Sequence, residues 1–384
     1  MKRNTNRFLI MISTSIFMFS LIGSRPLIPV YSSSLGASNL QIGVIIALFS
    51  LLPLFMAVPL GKIIDRLGNK TPLFLGIMIG SVSLIIPFYF INLVGLYVSQ
   101  IFAGFSQLLF VLSMQTYLGQ FSKSKIRDYF IAIFSIGVAI GSFAGPLISG
   151  FLTDSIGYSN TLAILGVVII IPLPFIFFLK KGKGGDLKKD KVLEEKKTES
   201  LDLLFISDLR IAFLVSAIVL LAKDMYLAFF PLLAMEKGLT ASVIGLIISL
   251  NSIAGILIRI LIPYLIKKYS RNLVIAYSIM SAGIILILTP LLSNVFALGL
   301  LSFILGLSLG IGQPLSISIT INSLPKERVG EGLGLRLSIN KLSQVLMPVV
   351  FGGVSTVSGM ASVFYISGVL IMTASLITKK NTEG

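Results

Sequence analysis

The sequence predicts an all-α membrane protein: twelve transmembrane helices in two pseudo-symmetric six-helix bundles, with both termini cytoplasmic. Three observations predict it. The chain is 55% hydrophobic and only 12% charged over 384 residues, with a mean hydropathy of +0.99, so lipid rather than water is its main solvent. It matches itself without a gap at an offset of 202 residues. Pro29 falls on Pro231, Gly43 on Gly245, Gly104 on Gly306, Pro146 on Pro348, Gly150 on Gly352 and Gly166 on Gly368. Lysine and arginine gather in alternate connections between apolar runs, which fixes which side each connection occupies.

Crossing roughly 30 Å of hydrocarbon takes about 20 apolar residues. Six such runs are read in the first copy, at 8–31, 39–61, 71–91, 94–118, 126–154 and 158–179. The repeat supplies six more, at 208–234, 240–266, 272–292, 294–320, 329–357 and 359–378. We number these spans 1 to 12. Lys2, Arg3 and Arg7 precede span 1, Lys62, Arg66 and Lys70 surround the 2–3 turn, and Lys123, Lys125 and Arg127 occupy the 4–5 turn. Lys267, Lys268 and Arg271 fill the 8–9 turn, Lys326 and Arg328 the 10–11 turn, and Lys379 and Lys380 the tail. Only Lys237 lies on the other side. The basic side is cytoplasmic by the positive-inside rule.

The domain boundaries follow: an N-terminal bundle at 1–180, a cytoplasmic linker at 181–207 and a C-terminal bundle at 208–384. Lys180 to about Ser207 is the one long polar stretch, and its Gly-rich, mixed-charge composition reads as a flexible tether. The N-terminus, basic then apolar, imitates a cleavable signal peptide. Cleavage would remove the counterpart of span 7, so span 1 is read as a permanent helix.

Several chemistries are excluded. The chain has no cysteine and no histidine, which removes disulfides, thiolate metal sites and the commonest metal ligand and neutral-pH proton switch. No cofactor or metal is expected, and proton chemistry must use carboxylates. The net charge of +16 does not indicate nucleic acid, because the charges sit between hydrophobic runs rather than on one face of a soluble domain. No phosphate-binding Gly-x-x-x-x-Gly-Lys-Ser/Thr loop is present and no nucleophile–base pair can be assembled, so neither ATP drive nor an enzyme is expected.

After span 2 the chain reads Gly61-Lys62-Ile63-Ile64-Asp65-Arg66-Leu67-Gly68-Asn69-Lys70. Two glycines allow a tight turn, and an acid and a base at a membrane boundary can form a latch made in one state and broken in another. Span 5 carries Gly137, Gly141 and Gly145 at every fourth position, then Pro146, Ser149 and Gly150. Such a stripe lets another helix approach closely. The first motif resembles the signature loop of the major facilitator superfamily, Gly-x-x-x-Asp-Arg-x-Gly-Arg-Arg/Lys, with Asn69 in place of the first final basic residue. The second is similar to the antiporter motif of the twelve-helix exporters of that superfamily, with Ser149 in place of one glycine.

The resemblance implies a fold in which spans 1, 4, 7 and 10 line a cavity and 3, 6, 9 and 12 pack outside. It also implies a gating role for Gly61, Asp65, Arg66 and Gly68, with Asp65 meeting the start of span 11 near Gly330, Gly332 and Gly334 in the outward-open state. In the second copy Lys267 and Lys268 stand where Asp65 and Arg66 stand, so the latch is one-sided. Gly141, Gly145, Pro146 and Gly150 imply export. One departure counts against drug:proton exchange: these exporters usually carry an arginine four residues before the glycine of span 4, and here that residue is Gln100.

Charges inside the spans mark the candidate site, since each costs about 2.5–3.5 kcal/mol to insert. They are Arg25, Lys223, Asp224, Arg259, Arg336 and Lys341, five positive and one negative. In span 7, Lys223 and Asp224 together oppose insertion by roughly 5–7 kcal/mol, while the apolar residues around them return only about 4–8. Partners or water must compensate. Arg25 corresponds to Leu227, which lies roughly 40° around the helix from Lys223 and 60° from Asp224. An Arg25–Asp224 contact is therefore expected, either state-dependent, with Asp224 as the group that takes a proton, or permanent and structural.

Span 11 places Arg336, Asn340 and Gln344 on one stripe beside Lys341. Span 4 offers Gln100, Gln107 and Gln115, and span 10 offers Gln313, Ser316 and Thr320. A wet cavity with an excess of positive charge favours an anionic or amphiphilic organic solute. The expectation is a secondary active transporter of the cell membrane working by alternating access, with proton-coupled efflux, contacting lipid, a small-molecule substrate and protons, and acting as a monomer. An importer or uniporter on the same fold and a non-transporting receptor are the alternatives.

Overall fold

A computed structural model describes residues 2–119, 124–178, 200–325 and 328–380. The described chain forms fourteen α-helices: α1 Lys2–Ser24, α2 Leu27–Ser34, α3 Asn39–Leu67, α4 Lys70–Tyr89, α5 Leu93–Gly119, α6 Ser124–Ile156, α7 Tyr158–Val168, α8 Leu173–Phe178, α9 Ser207–Glu236, α10 Ala241–Lys268, α11 Arg271–Leu288, α12 Val295–Asn322, α13 Val329–Ser358 and α14 Met360–Lys380. Spans 1 and 6 are each broken in two. Pro26 stands at the α1–α2 junction and Pro172 at the α7–α8 junction, where a residue without an N–H cannot continue the ladder.

Eleven helical spans among the described residues are long and apolar enough to cross a membrane, and a shorter apolar stretch, Met360–Leu376, follows them. The chain is a multi-pass membrane protein. Large apolar side chains such as Phe102, Phe151 and Phe178, or Leu300, Val357 and Leu376, are exposed on the helix surfaces. In water they would be an aggregation liability, whereas in a bilayer they are the lipid-facing surface.

Two boundaries differ from the sequence expectation. The glycine–acid–base motif is not a loop: α3 runs through Asp65 and Arg66 to Leu67. Nothing in Ile63 to Leu67 breaks a helix, and termination waits for Gly68, whose φ of +78° is a conformation L side chains rarely adopt. The tether expected at 181–207 is ordered at its end. Residues 181–199 lie outside the described residues, but Ser200–Phe205 form a 3₁₀ helix. Its Leu203 is fully buried against Leu209, Phe213 and Leu324. At the start of α13, outside the apolar span, Arg328 pairs with Glu331 at 2.8 Å, and hydrogen bonding to that carboxylate pushes the guanidinium pKa up.

The chain divides into two compact units. Unit 1 comprises Met1–Ser38, Val44–Val192 and Thr240–Gly245; unit 2 comprises Asn39–Gly43, Leu193–Leu239 and Leu246–Gly384. In unit 1, α1 lies along α6, and α4 packs on both α5 and α7. In unit 2, α11 packs on α14 and α12, and α9 contacts α12, α13 and α14.

Glycines at repeat positions make the same close approaches in each unit. A Cβ at Gly104 would fall on the Phe49 carbonyl, and one at Gly306 on the Asn251 carbonyl, partners again 202 residues apart. Gly166 faces Ser81 and Ile85, and Gly368 faces Gly283 and Ile287. Gly245 abuts Pro146, and Gly43 abuts Pro348. The repeat read from sequence is thus a repeat of packing contacts.

Candidate functional site

In unit 2 the polar residues of spans 7, 10 and 11 meet. Arg336 on α13 donates from Nε to Ser316 Oγ on α12 at 3.1 Å, and from a terminal guanidinium nitrogen to Gln313 Oε1. Gln313 Nε2 in turn donates to the Ser216 carbonyl on α9 at 2.9 Å. Ser216 and Asn340 close the network, with Asn340 Nδ2 to Ser216 Oγ at 2.8 Å, and Ser316 Oγ donates to the Ala212 carbonyl at 2.7 Å. Arg336, Asn340, Ser216 and Ser316 are all buried, Arg336 to 4% exposure.

The sequence explains the placement. Gln313 and Ser316 are three residues apart on α12, and Arg336 and Asn340 four apart on α13, so each pair shares a face. In hydrocarbon each unpaired polar group costs several kcal/mol, and pooling them is how the helices avoid that cost. The charge itself is not pooled. Among the described residues no carboxylate forms an ion pair with Arg336; its acceptors are neutral oxygens.

The other expected residues are placed as follows. Asp224 is buried, 7% exposed, while its neighbour Lys223 is exposed. Their span, Leu209–Glu236, is the most enclosed of the eleven. Two residues on, Tyr226 donates to Ser302 Oγ at 2.7 Å, and Ser302 donates to the Ile247 carbonyl. In unit 1, Arg25 is half-buried at the α1–α2 break, with its guanidinium carbon 4.5 Å from the Phe49 ring centroid. A cation over a ring face at that distance contributes about 0.5–2 kcal/mol. Gln100 is buried and Gln107 half-buried on α5, while Gln115 is exposed, so these three do not share one environment. Lys341 is half-buried and donates to Gln344 Oε1 at 2.8 Å. Arg259 is exposed on α10.

The side chains of Asp65 and Arg66 lie outside the described residues; a Cβ at Gly61 would make only an ordinary contact, with Leu112, and Gly68 ends α3. The glycine stripe of α6 has a definite partner, α1. A Cβ at Gly141 would stand 2.6 Å from Met18 Cβ and 2.7 Å from the Phe19 nitrogen, and one at Gly145 2.5 Å from the Phe19 carbonyl. Ser149, which replaces a motif glycine, donates to the Gly23 carbonyl at 2.8 Å. Beyond Pro146, Gly150 abuts Ala241.

Two residues escaped the sequence reading. Ser216 is a serine in an apolar helix, and only its three-dimensional neighbours mark it. Asp154, at the end of α6, accepts from the backbone N–H groups of Ala241 at 3.0 Å and Ser242 at 2.9 Å, and from the Ser242 hydroxyl. It caps the first turn of α10, where a helix dipole favours negative charge. The signal was a lone carboxylate at the end of a helix that carries no other charge after Asp128.

The Major Facilitator Superfamily family model matches residues 10–290 and 212–380. The chain belongs to the Major Facilitator Superfamily. Over its full length this superfamily member is 25% identical to an MFS-type transporter, MJ1560, of Methanocaldococcus jannaschii, covering 99% of that protein. It is 23% identical over 92% of its length to multidrug resistance protein 2 of Bacillus subtilis, covering 90% of that protein.. Quinolone resistance protein NorA of Staphylococcus aureus is 23% identical over 90% of the chain and 88% of NorA. In fold it resembles the nucleoside transporter NupG, with a TM-score of 0.80 at 16% identity over 97% of this chain and 98% of that one. It also resembles a peptide transporter, POT, solved with sulfate, with a TM-score of 0.79 at 17% identity over 98% and 94%.

Proposed function

We propose that this superfamily member is a proton-coupled exporter of small anionic or amphiphilic organic solutes, working by alternating access in the cell membrane as a monomer. On this reading Met360–Lys380 is a twelfth crossing and both termini are cytoplasmic, in line with the basic residues on that side. The observation that carries the solute class is the buried, unneutralised Arg336 in the polar network of unit 2. A fixed positive charge at low dielectric favours an anion over a cation. Efflux draws support from the relatives named for multidrug and quinolone resistance, and from the α6 motif.

Asp224 is the proposed proton carrier. It is a carboxylate buried midway along the most enclosed span, and the chain has no histidine to take that role. Arg25 and Lys223 are proposed to serve the coupling with it, and Asp65 with Arg66 to act as the cytoplasmic latch. Nothing in this cycle makes or breaks a covalent bond in the solute.

The test is uptake of a panel of fluorescent aromatic acids into everted vesicles. Accumulation should require an acidic interior and be lost in Asp224→Asn. Normal proton-driven uptake by that variant would refute the coupling role. The fold shared with nucleoside and peptide transporters supports an importer as the second reading. In that case right-side-out vesicles would accumulate the solute instead.

A further inference from the structure

We infer that Arg336 is the receptor for the solute's carboxylate, with Gln313 and Ser316 holding the guanidinium in its resting position and Ser216 and Asn340 fixing Gln313 behind it. The inference deepens the proposed function and rests on it. The repeat supplies an internal control that separates architecture from recognition. The positions equivalent to Ser216, Gln313, Ser316, Arg336 and Asn340 in unit 1 are Thr14, Val111, Met114, Phe134 and Val138. Met114 and Phe134 are buried members of the unit 1 core, with Val111 and Val138 packed against it. The same three-helix junction therefore packs without an arginine. Packing gives no reason for a cation whose burial costs several kcal/mol.

The resting contacts are those of a group waiting for a better partner. A guanidinium offers five N–H donors in a planar fork that matches a carboxylate in a bidentate, charge-assisted pair. Here it makes two single bonds, to an amide oxygen on one residue and a hydroxyl on another. Neither cancels its charge. A carboxylate entering this face would displace Gln313 Oε1 and take two donors, while Ser316 Oγ keeps Nε in place. Lys223 lies seven residues and about 10 Å from Ser216 on nearly the same face of α9. The ligand class is a small organic acid with one carboxylate.

The chain has no tryptophan, so the fluorescence of 2-naphthoate reports binding to purified protein without that background. The wild type should bind 2-naphthoate at least tenfold more tightly than its neutral amide. Arg336→Gln should erase that preference, and Arg336→Lys, which keeps the charge but loses the fork, should keep part of it. Gln313→Leu is the variant a purely structural role would not rescue: removing the resting acceptor should tighten 2-naphthoate binding severalfold while leaving the amide unchanged.

Equal affinity for acid and amide in the wild type, an unchanged preference in Arg336→Gln, or weakened acid binding in a folded Gln313→Leu would each overturn the inference. Binding that follows the expected pattern without proton-driven flux would refute the transport reading and leave the receptor standing. Proton-driven flux with unaltered binding in Arg336→Gln would do the reverse.

Discussion

Helices α6 and α13 hold the same place in the two copies of the repeat, and they solve the same packing problem in opposite ways. On α6 the face toward α1 is Gly137, Gly141 and Gly145, and α1 lies along α6 for most of its length. On α13 the equivalent positions are Ile339, Ser343 and Met347, and α9 touches α13 far less extensively. Small residues let backbones meet; larger ones hold helices apart. The wider junction is filled by the Arg336–Gln313–Ser216–Asn340 network, where unit 1 has Phe134, Val111 and Val138 in or against its apolar core and one buried hydroxyl, that of Thr14. One copy specialised in close packing and the other in polar chemistry.

That contrast breaks most readily at the tight side. Gly141→Leu puts a side chain where a Cβ already stands 2.7 Å from the Phe19 nitrogen. Backbone cannot yield as a flexible side chain can, so we expect a loss of about 3 kcal/mol and little folded protein by size-exclusion chromatography. The equivalent Ser343→Leu on half-buried α13 surface should be far milder. If both variants behave alike, the seam does not distinguish the copies.

A smaller effect is expected at Asp154, whose place in the second copy is taken by Thr356. Asp154→Asn keeps an acceptor for the Ala241 and Ser242 amides but loses the charge, and the site is exposed. About 1 kcal/mol of thermal stability should go. High salt should weaken the wild type more than the variant. Smallest of all is Lys341→Gln. Lys341 is half-buried and donates to Gln344, a neutral partner three residues on, so stability should shift by less than about 0.5 kcal/mol in a thermal melt.

Much of this was legible in the chain. Hydropathy and the 202-residue offset placed the spans, because crossing lipid demands long apolar helices and the glycine contacts repeat with the duplication. Arg336, Asn340 and Gln313 stood out because charge and amides are costly in a membrane. Ser216 did not, since a hydroxyl in a helix can satisfy itself on its own backbone and gives no sign of reaching elsewhere. The glycine stripe announced a close neighbour but not which one. The helical continuation through Asp65 and Arg66 was missed because a motif with a glycine at each end reads as a turn, while only Gly68 has the backbone of one. Lys341 stood beside the Arg336, Asn340 and Gln344 stripe in the sequence, and its hydrogen bond to Gln344 joins it to a member of that stripe.

The most direct test transplants the apolar solution of unit 1 into unit 2: Ser216→Thr, Gln313→Val, Ser316→Met, Arg336→Phe and Asn340→Val together. If the network exists for recognition, the variant should fold as well as the wild type or melt higher, as buried charges replaced by packed apolar groups often do, while vesicle uptake of 2-naphthoate falls to background. A variant that unfolds, or one that folds and still transports the acid, would contradict that claim.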